Sequence, residues 1–294
     1  MKAYKAIFFD WDGTAVYSRT APTQEVMEAM KPLLRQGTKL AIISGTTLEN
    51  ISQGRLHEAF SVTERQNLFY GLARGAANFR FNTGGELCEF ASGIPDKSTL
   101  LRLHEACFRM HQWLLEQHDL PTDVVFSRPN YAKIDLTAAS TRGSRLFMQE
   151  GELDRLEALL MAHGMSGGSR ALIQKGEAIG KELGIKLCAT TDGKYLELGF
   201  TLKSDNVDAI FSYLQANFAI KAEDCSFWGD EYVKVGEGIY GSDSYMMTDQ
   251  TRKGDFFDVS ELAGERPEGV QWIGGGVERF LTAMREAGEG GFYA

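Results

Sequence analysis

Two aspartates, Asp10 and Asp12, stand where an apolar run stops: Lys5-Ala-Ile-Phe-Phe9 gives way to Asp10-Trp-Asp-Gly-Thr14. A turn after a strand accounts for Asp and Gly there. Two acids at a buried strand end are nevertheless costly unless they serve a purpose. Paired carboxylates suit nucleophilic attack, proton transfer or binding of a hard cation. Residues two apart on an extended chain share a face, and Gly13 lets the chain turn away sharply. Two more polar clusters end apolar runs: Ser44-Gly45 follows Lys39-Leu-Ala-Ile-Ile43, and Gly229-Asp230-Glu231 follows Cys225-Ser-Phe-Trp228. In open parallel sheets ligands bind just beyond the carboxyl ends of the strands, so the three clusters are expected to meet in one crevice.

The elements that would carry them read as follows. Short apolar runs bounded by turn residues predict strands buried on both faces at 5–9, 39–43 and 225–228. Val26, Met30, Leu33 and Leu34 predict a helix over 24–35, weakened at Pro32, which completes a right-handed βαβ unit. After residue 82 the alternation breaks down. A long helix is expected at 97–118, a strand or hairpin arm at 124–137, a helix at 151–163 and two strands about the turn Thr191–Lys194. The α/β pattern resumes with a helix over 204–218, short strands near 244–248 and 270–273, and a helix near 277–287. The expected fold class is α/β, a doubly wound parallel-sheet core (1–83 plus 197–294) interrupted by an inserted α+β cap (84–196).

Phe8-Phe-Asp10-Trp-Asp12-Gly13-Thr14 resembles the first motif of the haloacid-dehalogenase-like (HAD) hydrolase superfamily. Ser44 is similar to its second motif, Lys203 to its third and Gly229-Asp230-Glu231 to its fourth. The insert resembles the type-2 (IIB) cap of sugar-phosphate phosphatases and phosphomannomutases. The resemblance implies Asp10 as the nucleophile that forms an aspartyl phosphate and Asp12 as general acid and base. It implies Ser44, the Gly45 amide and Lys203 as holders of the phosphate oxygens. Mg2+ would be bound by Asp10, the Asp12 main-chain carbonyl and Asp230. The family's further metal acid is expected three or four residues beyond Asp230, where this chain has Val233 and Lys234, so Glu231 or Asp243 is expected to replace it.

The chemistry requires such a cation. A carboxylate approaching a phosphate dianion is repelled by roughly 8 kcal/mol at 4 Å and an effective dielectric of 20. The chain's own net charge of −9 worsens this and argues against nucleic acid or anionic membranes as partners. Four scattered cysteines without a CxxC pair, no signal-like stretch and no long uncharged run point to a soluble cytoplasmic protein, monomer or homodimer. The reading is a phosphatase of a small phosphorylated metabolite, a sugar phosphate in particular. A phosphomutase or phosphotransferase would use the same residues, and a non-catalytic sensor of a phosphorylated ligand would not need Asp12. Arg128, Asn130, Lys133 and Arg142 of the cap are the candidates for reading the leaving group, against a default role in salt bridges. Gly236–Gly241 matches GxGxxG but lacks the strand-to-helix context of a dinucleotide site.

Overall fold

The computed structural model describes residues 2–126, 128–138 and 151–290. In chain order the core opens with β1 (Ala6–Phe9), α1 (Gln24–Gln36), β2 (Lys39–Ile43), the one-turn α2 (Val62–Arg65), β3 (Leu68–Leu72), β4 (Ala77–Phe81) and β5 (Leu87–Ser92). The insert contains α3 (Lys97–His118), β6 (Asp123–Val125), β7 (Tyr131–Asp135), α4 (Glu152–Ala162), α5 (Gly168–Glu182), β8 (Cys188–Thr191) and β9 (Tyr195–Gly199). The core closes with α6 (Lys203–Phe218), β10 (Cys225–Gly229), the hairpin β11 (Lys234–Gly236) and β12 (Ile239–Tyr240), β13 (Asp255–Asp258), β14 (Val270–Trp272) and α7 (Gly276–Gly288).

One eight-stranded sheet has the order β14-β13-β10-β1-β2-β3-β4-β5. Its first six strands are parallel, and β4 and β5 are added antiparallel at the edge. The apolar run of β1 is consumed by two layers. Ile7 and Phe9 pack with Met30 and Leu33 of α1 and Phe280 and Met284 of α7. Ala6 and Phe8 face Val207, Ile210 and Leu214 of α6 on the other side. A strand whose alternate residues are both buried must be apolar throughout, which is why the run is unbroken before Asp10. Helix α1 runs through Pro32, with Gly37 closing it in a left-handed conformation.

The insert is an antiparallel sheet, β6-β7-β9-β8, backed by α3, α4 and α5 around a separate core that includes Leu103, Met110, Leu160, Leu172 and Ile179. The α/β core and α+β insert are therefore as expected, but some details are corrected. Strand β5 belongs to the core sheet, beyond the expected boundary at 83, and β9 of the cap continues to Gly199, past the expected limit at 196. Leu87–Ser92 is half-buried, with no long apolar run to betray its sheet. No strand forms at 244–248, which the 3-10 turn Ser242–Met246 overlaps; the strand is Asp255–Asp258, whose Phe256 and Phe257 go to opposite layers. Among the described residues no helix is long and apolar enough to cross a membrane.

Candidate active site

The parallel register sets the ends of β1 and β10 side by side, Phe9 opposite Trp228. The ladder continues one step further, with the Asp10 amide donating to the Trp228 carbonyl at 2.9 Å. Beyond it the chain turns at Gly13, whose φ is +90°. A Cβ on Gly13 would collide with the Asp230 carboxylate, which lies directly over it. Thr14, fully buried, donates its hydroxyl to Asp230 Oδ1 at 2.9 Å. The Gly-Thr pair after the two aspartates thus seats the acid contributed by β10.

Lys203, the first residue of α6, bridges Asp10 Oδ1 at 2.8 Å and Asp243 Oδ1 at 2.7 Å, and all three side chains are buried. Asp243 enters from the 3-10 turn after the hairpin, and its Oδ2 accepts the Glu231 amide at 2.8 Å. It packs against Gly229, where a side chain would strike its carboxyl carbon. Asp10, Asp230 and Asp243 can each offer one oxygen such that all three lie within 4.8 Å of one another. Of the two acids proposed to complete this set, Asp243 is in the cluster. Glu231 is turned to the Ser242 hydroxyl at 2.7 Å.

Burial raises the Asp10 carboxyl; Lys203 pulls it down, Asp243 and Asp12 push it up, and the net displacement is well upward. Asp230 is raised well above the ordinary range by burial and by Glu231, Asp10 and Asp243. Burial disfavours the Lys203 ammonium, but Asp10 and Asp243 outweigh it and the group stays charged. At the 4.8 Å outer limit of that cluster two carboxylates repel by roughly 3.5 kcal/mol at an effective dielectric of 20. Three carboxylates and one ammonium leave two net negative charges. An all-oxygen donor set of that charge fits one hard divalent cation such as Mg2+.

Gly13→Ala tests this seating. The substitution should weaken binding of Mg2+ to the protein at least tenfold, read by calorimetric titration, through displacement of Asp230. An unchanged titration would remove Gly13 and Asp230 from the site.

The remaining residues fall into two groups. Asp12 is paired with Arg19, Nε to Oδ2 at 3.0 Å, at the exposed side of the loop. Buried Ser44 accepts the Thr46 amide at 3.3 Å, and its own amide donates to the Gly71 carbonyl. No α-helix starts at Ser44; a 3-10 turn at Leu48–Asn50 follows. The Gly45 carbonyl accepts the hydroxyl of Tyr131 from the cap at 3.0 Å. Asn130 donates to the Ala73 carbonyl at 2.7 Å and to Thr201, tying cap to core. Lys133 is bonded to Glu197, and Arg128 to the Tyr131 hydroxyl at 3.3 Å. Arg142 lies outside the described residues.

Sequence reasoning missed Arg74. It sits beyond β3 in a left-handed conformation, buried, with Nε 3.2 Å from Glu197 and Nη2 2.6 Å from Thr190. Burial alone would raise the Glu197 carboxyl, but Lys133 and Arg74 hold it down at about 2. Nothing in the local sequence marks Arg74, whose partners are over a hundred residues away.

No protein-family model and no curated protein matches the chain. Solved structures do. The Plasmodium falciparum IMP-nucleotidase aligns over 97% of this chain with a TM-score of 0.54 at 11% identity. This chain spans 62% of that protein's length. Its N-terminally truncated, IMP-bound form aligns over 98% of this chain and 68% of its own, with a TM-score of 0.60 at 12% identity. A Eubacterium rectale protein aligns over 96% and 98% of the two chains, with a TM-score of 0.52 at 14% identity. The chain shares the fold of these proteins, a mostly parallel α/β sheet carrying an α+β insert. Its carboxylate cluster stands at the carboxyl ends of the parallel strands, with the insert between Ser44 and Lys203.

Proposed function

We propose that this chain is a Mg2+-dependent phosphatase that hydrolyses small phosphate monoesters, sugar phosphates among them, through an aspartyl phosphate on Asp10. The observation that supports this reading best is the meeting of Asp10, Lys203, Asp230 and Asp243, drawn from four separate elements. A fold neighbour named for hydrolysis of IMP is in keeping with it.

An Asp10 oxygen attacks phosphorus, the ester P–O bond breaks, and Asp12 delivers its proton to the leaving oxygen. Water then attacks the same phosphorus, Asp12 takes its proton, and the Asp10–phosphorus bond breaks to release inorganic phosphate. Lys203 holds a phosphoryl oxygen and offsets charge on the nucleophile; the Ser44 hydroxyl and Gly45 amide take the remaining oxygens. Asp10, Asp230 and Asp243, with the Asp12 carbonyl, would hold Mg2+. When bound, the ion neutralises charge on the phosphoryl group. Arg19 keeps Asp12 oriented between the two half-reactions. Tyr131 and Asn130 fasten the cap beside the Ser44-Gly45 loop, which favours exclusion of bulk water during the first step.

The test is p-nitrophenyl phosphate turnover with Mg2+ and after chelation. Chelation should lower kcat/KM at least about 10³-fold, corresponding to about 4 kcal/mol of lost electrostatic stabilisation. Re-addition of Mg2+ should restore it. Full activity in excess chelator contradicts the metal assignment. Binding of a phosphorylated ligand with no turnover at all contradicts the hydrolase reading.

A further inference from the structure

The loop Ser44-Gly45-Thr46 is held by its carbonyls. The Arg74 amide donates to the Ser44 carbonyl at 3.4 Å, and the Ala73 amide to the Thr46 carbonyl at 2.8 Å. Between them the Tyr131 hydroxyl, from β7 of the cap, donates to the Gly45 carbonyl at 3.0 Å. Tyr131 is buried, and its oxygen accepts Arg128 Nε at 3.3 Å. A hydroxyl that accepts from a cation is the stronger donor for it.

Each of these carbonyls fixes a neighbouring donor, because a peptide unit is planar and its C=O and N–H point in opposite directions. The Ser44 carbonyl and the Gly45 amide share one plane, which Arg74 sets. The Gly45 carbonyl and the Thr46 amide share the next, which Tyr131 sets. The Thr46 amide in turn donates to the Ser44 hydroxyl oxygen at 3.3 Å. That leaves the hydroxyl proton for an outside acceptor.

The cap also holds Arg74 in place. Ala73 and Arg74 both have a φ of +52°, a left-handed value that residues with side chains keep only where their surroundings hold them. Here the surroundings are the cap. Asn130 donates to the Ala73 carbonyl at 2.7 Å, Arg74 Nη2 donates to Thr190 at 2.6 Å, and Arg74 Nε lies 3.2 Å from Glu197.

Building on the phosphatase reading above, which gives the Ser44 hydroxyl and the Gly45 amide to the phosphoryl group, we infer that Tyr131 and Arg74 are positioning residues through which the cap orients the phosphate-binding loop. Cap contact then governs affinity for the phosphoryl group itself, whatever the leaving group. The metal acids Asp230 and Asp243 are seated by Thr14, Lys203 and the Glu231 amide of the core and are independent of it.

Calorimetric titration of the intact protein with inorganic phosphate in Mg2+, and with Mg2+ alone, separates the two. Tyr131→Phe removes one hydroxyl from a packed ring. It should weaken phosphate binding at least about fivefold and lower kcat/KM at least about tenfold, equally for p-nitrophenyl phosphate and a hexose monophosphate, with Mg2+ affinity unchanged. Arg74→Met should act in the same direction, and Arg74→Lys, which keeps a cation beside Glu197, should recover part of the loss. Thr122→Val breaks the 2.7 Å contact with His111 elsewhere in the cap and should leave both affinities as in wild type. Phosphate binding by Tyr131→Phe as tight as wild type overturns the inference while the phosphatase reading stands. A parallel loss of Mg2+ affinity also overturns it, since that reports damage to the whole site. Weakened phosphate binding by Tyr131→Phe, in a protein whose wild type turns over no ester, supports the inference and overturns the phosphatase reading.

Discussion

Asp10→Asn is expected to lower turnover of any phosphate monoester at least about 10⁴-fold while the protein stays folded. Asparagine has the shape of aspartate, and its carbonyl can still accept from the Lys203 ammonium, which sits 2.8 Å from Asp10 Oδ1. The amide cannot attack phosphorus. The effect on stability separates loss of chemistry from loss of structure. Asp10 is one of three clustered carboxylates, and burial together with Asp243 and Asp12 raises it. An acid whose folded pKa lies above its unfolded value contributes stability while protonated and loses it as pH rises through the folded value. The variant without Mg2+ should therefore be at least as stable as the wild-type protein at pH 8, read by thermal unfolding, and closer to it at pH 5. A catalytic loss under tenfold would show that the nucleophile lies elsewhere.

Lys203→Met has the second large effect, and it acts on both stability and activity. The ammonium is the cation that bridges Asp10 and Asp243, and removing it leaves two buried carboxylates facing each other without compensation. Breaking a buried pair from one side typically costs about 3–5 kcal/mol. The loss should be largest at pH 8 and should shrink as pH falls, because protonation of the raised Asp10 carboxyl removes the repulsion. Mg2+ should return part of the stability, since a ligand that binds only the folded state stabilises it by about 2.7 kcal/mol at a hundred times its dissociation constant. Denaturant unfolding at two pH values, with and without the ion, reads all three effects. A variant as stable as wild type at pH 8 would mean that Lys203 is not the countercharge of the cluster.

Much of this arrangement was legible because the chemistry concentrates at strand ends. Asp10, Ser44 and Asp230 each follow an apolar run that can only be a strand buried on both faces, and a parallel sheet then gathers them without further information. Lys203 was placed by resemblance rather than by its surroundings, and the structure brings it onto Asp10. Asp243 was harder. It lies just before a stretch expected to be a strand, and a 3-10 turn against Gly229 delivers it. The cap illustrates the limit most clearly. Asn130 and Lys133 were singled out for polarity and charge, yet Asn130 is used as a joint to Ala73 and Lys133 as the partner of Glu197. Polarity reports that a side chain needs partners, and only the tertiary fold tells whether they are protein or ligand. Arg74 carried no local signal, because its partners come from elements brought together across the cap–core joint.

The most direct measurement is acid quenching of the Mg2+-loaded protein during turnover, followed by mass spectrometry of the peptide that contains Asp10. A phosphoryl group on Asp10, lost on alkaline treatment and missing from Asp10→Asn, is the predicted result. Turnover with a phosphoryl group on another residue would contradict the assignment of Asp10 as nucleophile.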